Sequence, residues 1–313
     1  MIKTCEFVSP KHPDKTCDFI ADSILDAYLA QDGKSRVAIE VLGGHKTVNI
    51  CGEVSSRGNV DVENLIKNIV GENYKININI VQQSPFIAQG VDTGGAGDQG
   101  IMTGYAANET PELMPKEYAL ARDLCQKIYQ KFPFDGKVQI TLDGAEVKTV
   151  VASFQNTKTE ELKELVKQII RAEKYFINPA GEWSLGGFDA DSGLAGRKII
   201  IDSYGPEVPV GGGSFSGKDP TKVDRSGAYM ARKIAVDLLK KYKAQKVFVK
   251  LAYVIGQKEP VMAAAFIDGE KIEIPKDYDL TPQGIIKFLK LDRPIFAQTA
   301  FWGHFGRGFE WDK

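Results

Sequence analysis

The sequence is poor in the residues that most often announce a site or a compartment. Its four cysteines, Cys5, Cys17, Cys51 and Cys125, stand at intervals that fit no CxxC pair or other zinc-ligand spacing. Free thiols are the expectation, and they suit a reducing cytoplasm. Only three histidines occur, none at a persuasive spacing from a cysteine, and there is no GxSxG elbow, so nothing resembles a hydrolase triad. A strand followed by GxGxxG and a helix is also missing, which disfavours a dinucleotide site. No apolar run approaches the roughly 18 residues of a membrane-spanning helix, and the start, MIKTCEFVSPKHPDK, has no apolar signal region. Neither secretion nor a membrane span is expected. Forty basic residues against forty-one acidic ones leave almost no net charge, and so no electrostatic reason to expect nucleic acid or an anionic membrane as partner.

What is present is a globular composition, 43% hydrophobic over 313 residues, a length at which one core usually divides into two or three domains. The densest stretch is GGGSFSGKDPTKVDRS, Gly211 to Ser226. Glycine at this density lets the backbone wrap a bound group, and Lys218, Lys222 and Arg225 make that group anionic. Asp219 and Asp224 would repel an anion, so a hard cation between carboxylate and phosphate reconciles the two charges. The loop has the spacing of a P-loop up to Lys218, but Asp219 and Pro220 follow where a magnesium-binding hydroxyl belongs, and that reading is rejected.

A helix, a hairpin and a second helix recur three times. The first copy has a strand at Lys3–Val8 and a helix with Phe19, Ile20, Ile24 and Tyr28 on its apolar face. Strands at Arg36–Leu42 and Lys46–Val54 then flank Gly43-Gly44-His45, and a helix spans Val60–Val70. The second has helices at Pro115–Lys131 and Thr159–Ala172 around strands at Lys137–Leu142 and Glu146–Ser153. The third has helices at Asp224–Tyr242 and Thr281–Leu289 around strands at Lys246–Val254 and Pro260–Ile267. This predicts an α+β fold of three structurally similar domains, each a small mixed sheet with helices on one face, arranged about a pseudo-threefold axis so that the sheets cover one another's bare faces. The boundaries fall at 1–87, at a glycine-rich active-site connection over 88–112, at 113–186, and at 187–313, which carries the phosphate-binding loop.

The chemistry-bearing residues sit in the connections. His12, Asp14 and Lys15 occupy a proline-stiffened segment at a helix start, either a phosphate or proton-transfer site or a plain cap. Glu40 and Glu53 interrupt apolar strands, at an edge or facing a cleft. The stretch QQSPFIAQGVDTGGAGDQGIMTGYAANET reads as a long irregular connection, with Gln83, Asp92, Asp98 and Gln99 suited to a polar substrate or a gate. In FINPAGEWSLGGFDADSGLAGRKIIIDSYG, Asp189 and Asp191 precede Arg197 and Lys198, which read as a phosphate clamp at the entrance of a buried strand at Ile199–Ile201. Trp183 either stacks on a ring or closes a core. The aromatics of AFWGHFGRGFEWDK read as packing. His12, Lys15, Lys137, Arg197, Lys198, Lys218 and Lys222, with Asp14, Asp98, Asp135, Asp191 and Asp224, would converge on a polyphosphate, which makes this an ATP-using enzyme with magnesium.

HPDK at His12–Lys15, GAGDQG at Gly95–Gly100, GYAANET at Gly104–Thr110, GRKIIIDSYG at Gly196–Gly205, GGGSFSGKDPTKVDRSGAY at Gly211–Tyr229 and GHFGR at Gly303–Arg307 resemble the S-adenosylmethionine synthase family, also called methionine adenosyltransferase. The motifs run in order along nearly the whole chain. The resemblance implies attack of the methionine sulfur on C5′ of ATP, then hydrolysis of the displaced triphosphate to pyrophosphate and phosphate. It implies that His12, Lys137, Arg197, Lys198 and Lys218 act on the triphosphate, with Lys15, Asp135, Lys222 and, on adenine, Trp183. Glu53, Gln83, Asp98 and Asp191, with Lys222, would surround methionine and the nucleoside. Asp14 and Asp224 would hold magnesium, two ions per site, and Glu40 potassium. Sites lie between two subunits in the family, so a homodimer is implied, with a tetramer left open. A magnesium-dependent triphosphatase without methionine use, or a non-catalytic partner subunit, are the alternatives. The chain departs from the family at SPKHPDK, where SEGHPDK is usual, at Phe86, at Asn156, and in a shorter segment between QSP and GAGDQG that would serve as a lid.

Overall fold

The computed structural model describes residues 1–83 and 94–313. The expected lid, with Phe86 and Asp92, therefore falls largely outside the described residues. In chain order the elements are β1 (Ile2–Val8), α1 (Pro13–Gln31), β2 (Arg36–Gly44), β3 (Thr47–Ser55), α2 (Val62–Val70), β4 (Lys75–Val81), β5 (Gly100–Ala107), α3 (Lys116–Lys131), β6 (Gly136–Asp143), β7 (Glu146–Phe154), α4 (Thr159–Ile169), β8 (Lys174–Ile177), β9 (Ser192–Leu194), α5 (Ile199–Asp202), α6 (Val223–Tyr242), β10 (Lys246–Tyr253), β11 (Met262–Ile267), β12 (Glu270–Ile272) and α7 (Pro282–Leu289).

All three hairpins and their leading helices stand where the periodicity put them. The β2–β3 turn is tighter than expected. The strand runs through Gly44, and His45 and Lys46 make the turn with φ of 49° and 63°, the left-handed pair that suits the twist of a two-residue hairpin. The strands β4, β5, β8, β9 and β12 lie outside those expected. β4 follows α2 and lies parallel to β3, and β8 follows α4 and lies parallel to β7. In KININIV the alternation of Ile76, Ile78 and Ile80 carried the period-two signal for β4. The third unit departs from this pattern, because β12 returns antiparallel to β11 through Asp268 and Gly269.

The sheets exchange strands. Their orders are β4-β3-β2-β9, β1-β6-β7-β8 and β12-β11-β10-β5. The first strand of the chain thus belongs to the central sheet, β5 belongs to the C-terminal sheet, and β9 returns to the N-terminal one. Two sequence expectations are corrected here. The glycine-rich connection is not irregular throughout, because Gly100–Ala107 pairs along the length of β10. Ile199–Ile201 is not a strand but the first turn of the short helix α5, so the backbone turns directly after Lys198. The exchanges matter for the site because each puts a polar connection on the boundary between two sheets.

One helix of each unit packs on one sheet face: α1 on β2 and β9, α3 on β1 and β6, α6 on β5 and β10. Ile20, Ile24, Tyr118, Leu124, Tyr229 and Ile234 are buried there without residual exposure, each such side chain contributing about 1.5–3 kcal/mol of transfer free energy. The opposite faces do not cover one another as expected, and they keep apolar side chains in the open within the single chain. Leu42, Ile101 and Phe176 on them remain 49%, 52% and 47% exposed.

The C-terminal aromatics form packing, as their crowding implied. His304 is buried against Phe215 and Tyr229, its Nδ1 lies 2.7 Å from the Tyr229 hydroxyl, and among the described residues its Nε2 has no hydrogen-bond partner. Burial, then the charges of Arg225, Lys15 and Arg307, hold its pKa well below the ordinary 6.5. The unfolded chain therefore takes up a proton below that value while the folded chain does not, so His304 removes stability as pH falls through 6.5. Denaturation of wild type and H304N from pH 8 to 5 should show the wild type losing up to about 1.4 kcal/mol per pH unit relative to the variant below its unfolded pKa. Parallel curves would contradict the assignment.

Candidate active site

Helix α1 begins at a proline in its first turn, capped by His12, whose Nδ1 accepts the Asp14 N–H at 3.2 Å. With Nδ1 accepting, the proton of the neutral ring resides on Nε2, which becomes a donor. Burial, then Lys198 and Lys137 against Asp14 and Asp191, lowers the His12 pKa to about 4, so the ring is neutral at physiological pH. Because β1 pairs with β6, Val8 lies opposite Lys137, and His12 is brought to the central sheet. Lys137 itself pairs with Glu6 at 2.6 Å.

Asp14 is nearly fully buried. One oxygen accepts the Leu194 N–H at 3.0 Å and lies 3.7 Å from Arg197, and the other meets the Lys198 ammonium at 2.5 Å. Burial pushes its carboxyl up, but Lys198 and the Leu194 N–H outweigh that and hold it below the usual carboxylate range. Arg197 and Lys198 thus converge on one carboxylate instead of diverging to opposite faces, because α5 turns the chain. Asp135 accepts the Gly187 N–H at 2.9 Å. Asp191 accepts the N–H of Ser192 at the start of β9. Trp183 is half-buried just before this loop. His12, Asp14, Lys137, Asp191, Arg197 and Lys198 form one group.

The second group stands on the open face of the N-terminal sheet. The loop after Gly211 docks on β2: the Ile39 N–H donates to the Gly217 carbonyl at 3.0 Å, the Asp219 N–H to the Val37 carbonyl at 3.0 Å, and the Val37 N–H to the Asp219 carboxylate at 2.7 Å. Lys218 is therefore opposite Ala38, which is opposite Glu53, which is opposite Val81 of β4. Side chains in such a row share a face, and Glu40 follows two residues along β2. Burial raises the pKa of Glu40, partly offset by Lys218. Lys218 meets Asp224 at 2.6 Å. Gln83, two residues beyond Val81, is buried. Asp98, exposed, lies two residues before Gly100, where a Cβ would stand 3.2 Å from the Asp224 carboxylate. Among the described residues no hydrogen bond or ion pair joins the two groups.

Three charged side chains do not act as the sequence suggested, and a fourth, Lys222, is held by an ion pair as Lys218 is. Arg225 is wholly buried, bonded to both oxygens of Asp22 at 2.6 and 2.8 Å. Asp219 is buried beneath Val37, Thr221 and Lys222 and repels nothing. Lys222 is engaged by that same Asp219. Lys15 is 3% exposed and is gripped by Asp18 and Asp202. All four needed the tertiary contacts, but the α1 carboxylates that pair with Arg225 and Lys15 had a visible signal. Asp14, Asp18, Asp22 and Asp26 recur every fourth residue, the spacing of one helical face.

Among the described residues no cluster of three or more His, Cys, Asp or Glu side chains could hold a metal. The donors nonetheless suit magnesium, which is commonly held by one or two carboxylates together with substrate phosphates. Asp14 and Asp224 are hard oxygen donors, each already beside a lysine that a phosphate could share.

Three family models match in order: the N-terminal domain of S-adenosylmethionine synthetase over residues 1–85, its central domain over 93–183 and its C-terminal domain over 185–313. The S-adenosylmethionine synthase of Thermus thermophilus is 42% identical, with 99% of this chain and 95% of that protein aligned. The chain belongs to the S-adenosylmethionine synthase family. The namesake proteins of Deinococcus deserti and Mycobacterium avium are each 40% identical, over 99% and 97% of this chain and 96% and 93% of theirs. The alignment to the Thermus synthase spans 375 positions against the 313 residues here, so that relative carries stretches this member of the family lacks.

Docking of the Lys218 loop can be tested at its glycines. A Cβ on Gly217, at φ 77°, would stand 2.1 Å from the Ile39 carbonyl oxygen, whereas one on Gly212, at φ 101°, would meet open space. Both substitutions strain the backbone, by about 1–3 kcal/mol. G217A should therefore cost clearly more stability in denaturation than G212A and lower turnover more. Equal losses would show that the loop is not seated on β2 as described.

Proposed function

We propose that the chain transfers the adenosyl group of ATP to the sulfur of L-methionine and hydrolyses the resulting triphosphate to phosphate and pyrophosphate. The observation that carries this reading is that the two loops bearing Arg197, Lys198 and Lys218, the triphosphate cations implied by the family motifs, are both docked on α1 and the edge of β2. A thioether sulfur is already nucleophilic, so the first step needs no general base. The barrier lies in aligning sulfur with C5′ and in stabilising charge on the departing triphosphate. His12 donates from Nε2 to the leaving oxygen, and Lys137, Arg197, Lys198 and Lys218 neutralise the phosphate chain. Magnesium, two ions per site, would be held by Asp14 and Asp224 and would supply further neutralisation of the triphosphate. Potassium would sit at Glu40. Glu53, Gln83, Asp98 and Asp191 would hold the methionine amino group and the nucleoside, with Lys222 and Asp135 behind them and Trp183 on adenine.

The bare sheet faces and the separation of the two charged groups support a homodimer in which each site takes one group from each subunit. We further propose that the three units, 1–87, 113–186 and 187–313, are related by a pseudo-threefold axis, with 88–112 as the active-site connection. Four free cysteines, three of them buried, suit a reducing cytoplasm. Among the described residues no helix is long and apolar enough to cross a membrane.

Purified protein with ATP, methionine, magnesium and potassium should form S-adenosylmethionine, phosphate and pyrophosphate. Folded, oligomeric protein that forms no sulfonium product contradicts the proposal. Role assignment is tested by the partial reaction on added triphosphate, which never uses methionine. D14N and D224N should slow both reactions and raise the magnesium requirement, whereas E53Q and D191N should spare triphosphate hydrolysis. Equal loss in all four would overturn the division. K218A should leave melting unchanged and lower kcat by an amount equivalent to about 2.7–4 kcal/mol, the effect of deleting a transition-state charge donor. A normal kcat/KM would return Lys218 to an ordinary surface loop.

A further inference from the structure

We propose that Lys15, with Asp18 and Asp202, is a positioning unit that fixes both ends of the turn presenting Arg197 and Lys198, and that Lys15 is not a ligand of the triphosphate. The inference rests on the reading of Arg197 and Lys198 as triphosphate-facing groups.

The geometry is a closed circuit. Asp18 turns one oxygen to the Gly196 N–H at 2.8 Å, immediately before Arg197, and its other oxygen lies 2.8 Å from the Lys15 ammonium. The same ammonium reaches Asp202, the last residue of α5, four residues after Lys198. Asp202 also ties the turn to its surroundings through the backbone. Its N–H donates to the Lys198 carbonyl at 2.8 Å, and its carbonyl accepts the His304 N–H at 2.9 Å. The segment from Gly196 to Asp202 is thus held at its start by Asp18 and at its end by Asp202, with one ammonium between them. Lys15 follows Asp14 on α1, so the pin and the carboxylate that receives Lys198 belong to the same helical turn. A displacement of α5 by a fraction of an ångström would move Lys198 off Asp14 and off any phosphate beside it.

The arrangement is not one that stability alone favours. A buried ammonium between two carboxylates is costly to desolvate, and packed apolar side chains would serve a purely structural role as well or better. What a charged circuit adds is a single geometry, since its hydrogen bonds from Gly196 to Asp18 and from Lys15 to Asp202 have fixed directions. Lys15 is 3% exposed, and its ammonium is engaged by Asp18 and Asp202.

The test is a set of variants in the full-length oligomer: K15M, D202N, K198M, K15M/K198M and D202N/K198M. Each is assayed for S-adenosylmethionine formation, for hydrolysis of inorganic tripolyphosphate and for thermal melting. K15M and D202N should each lower kcat about tenfold to a hundredfold, the range of groups that orient a ligand-contacting residue, while KM for ATP changes less than about threefold. In the K198M background each should lower kcat by clearly less than it does alone, because only the part acting through Arg197 remains. Losses that multiply in that background, or a K15M variant that weakens tripolyphosphate binding by calorimetry while D202N binds it normally, would make Lys15 a direct ligand and overturn the proposal. Should K15M fail to fold, the isosteric D202N decides alone: wild-type kcat in D202N contradicts the positioning role. A wild type that makes no sulfonium product instead overturns the functional reading, and is recognised before any variant is compared.

Discussion

A row of carboxylates on one helix organises this molecule. Asp14, Asp18, Asp22 and Asp26 of α1 accept backbone N–H groups from Leu194, Gly196, Gly217 and the Phe296–Ala297 pair respectively, at 2.8 to 3.0 Å. Hydrogen bonds to a charged acceptor contribute about 1.5–3 kcal/mol each. Here every one joins α1 to a distant segment of the chain, the shortest separation being 178 residues. The edge of β2 completes the arrangement, pairing Leu42–Gly44 with β9 and Val37–Ile39 with Gly217–Asp219. Two loops that would otherwise be free are thereby held by the same helix and the same strand. Gly193 shows how closely they lie, since a Cβ there would fall 2.2 Å from the Pro13 carbonyl carbon.

This explains how a chain of nearly zero net charge can build a strongly polar site. The cations in the free protein are already matched, Lys198 with Asp14, Lys218 with Asp224 and Lys137 with Glu6. On the proposed function, these ammonium groups would exchange their carboxylates for phosphate oxygens, and Asp14 and Asp224 would turn to the metal. Side chains so held lose little freedom on binding, which leaves more of the interaction energy for the transition state.

The sequence made the hairpins, the leading helices and the glycine loops legible because each is specified locally, by periodicity or by turn residues. It also yielded the family, through motifs long enough to be specific. Strand exchange was hidden, because which sheet receives β1, β5 or β9 depends on partners far along the chain. For the same reason Arg225 and Lys15 read as phosphate ligands: a lysine in HPDK looks the same whether it points to solvent or to Asp18 and Asp202. The spacing of the aspartates on α1 was visible, but what they bind could not be, since their partners are backbone N–H groups that sequence does not distinguish.

The central claim is that one chain carries two half-sites, one around Asp14 and Lys198 and one around Lys218 and Glu53, which complete each other across a dimer. Subunit complementation tests it most directly. K198M and K218M, each inactive alone, are unfolded together and refolded as a mixture. Random pairing gives mixed dimers in which one site carries both substitutions and the other carries none, so about a quarter of wild-type activity should return. A mixture no more active than either variant refolded by itself would place both lysines in the same half-site and contradict the account.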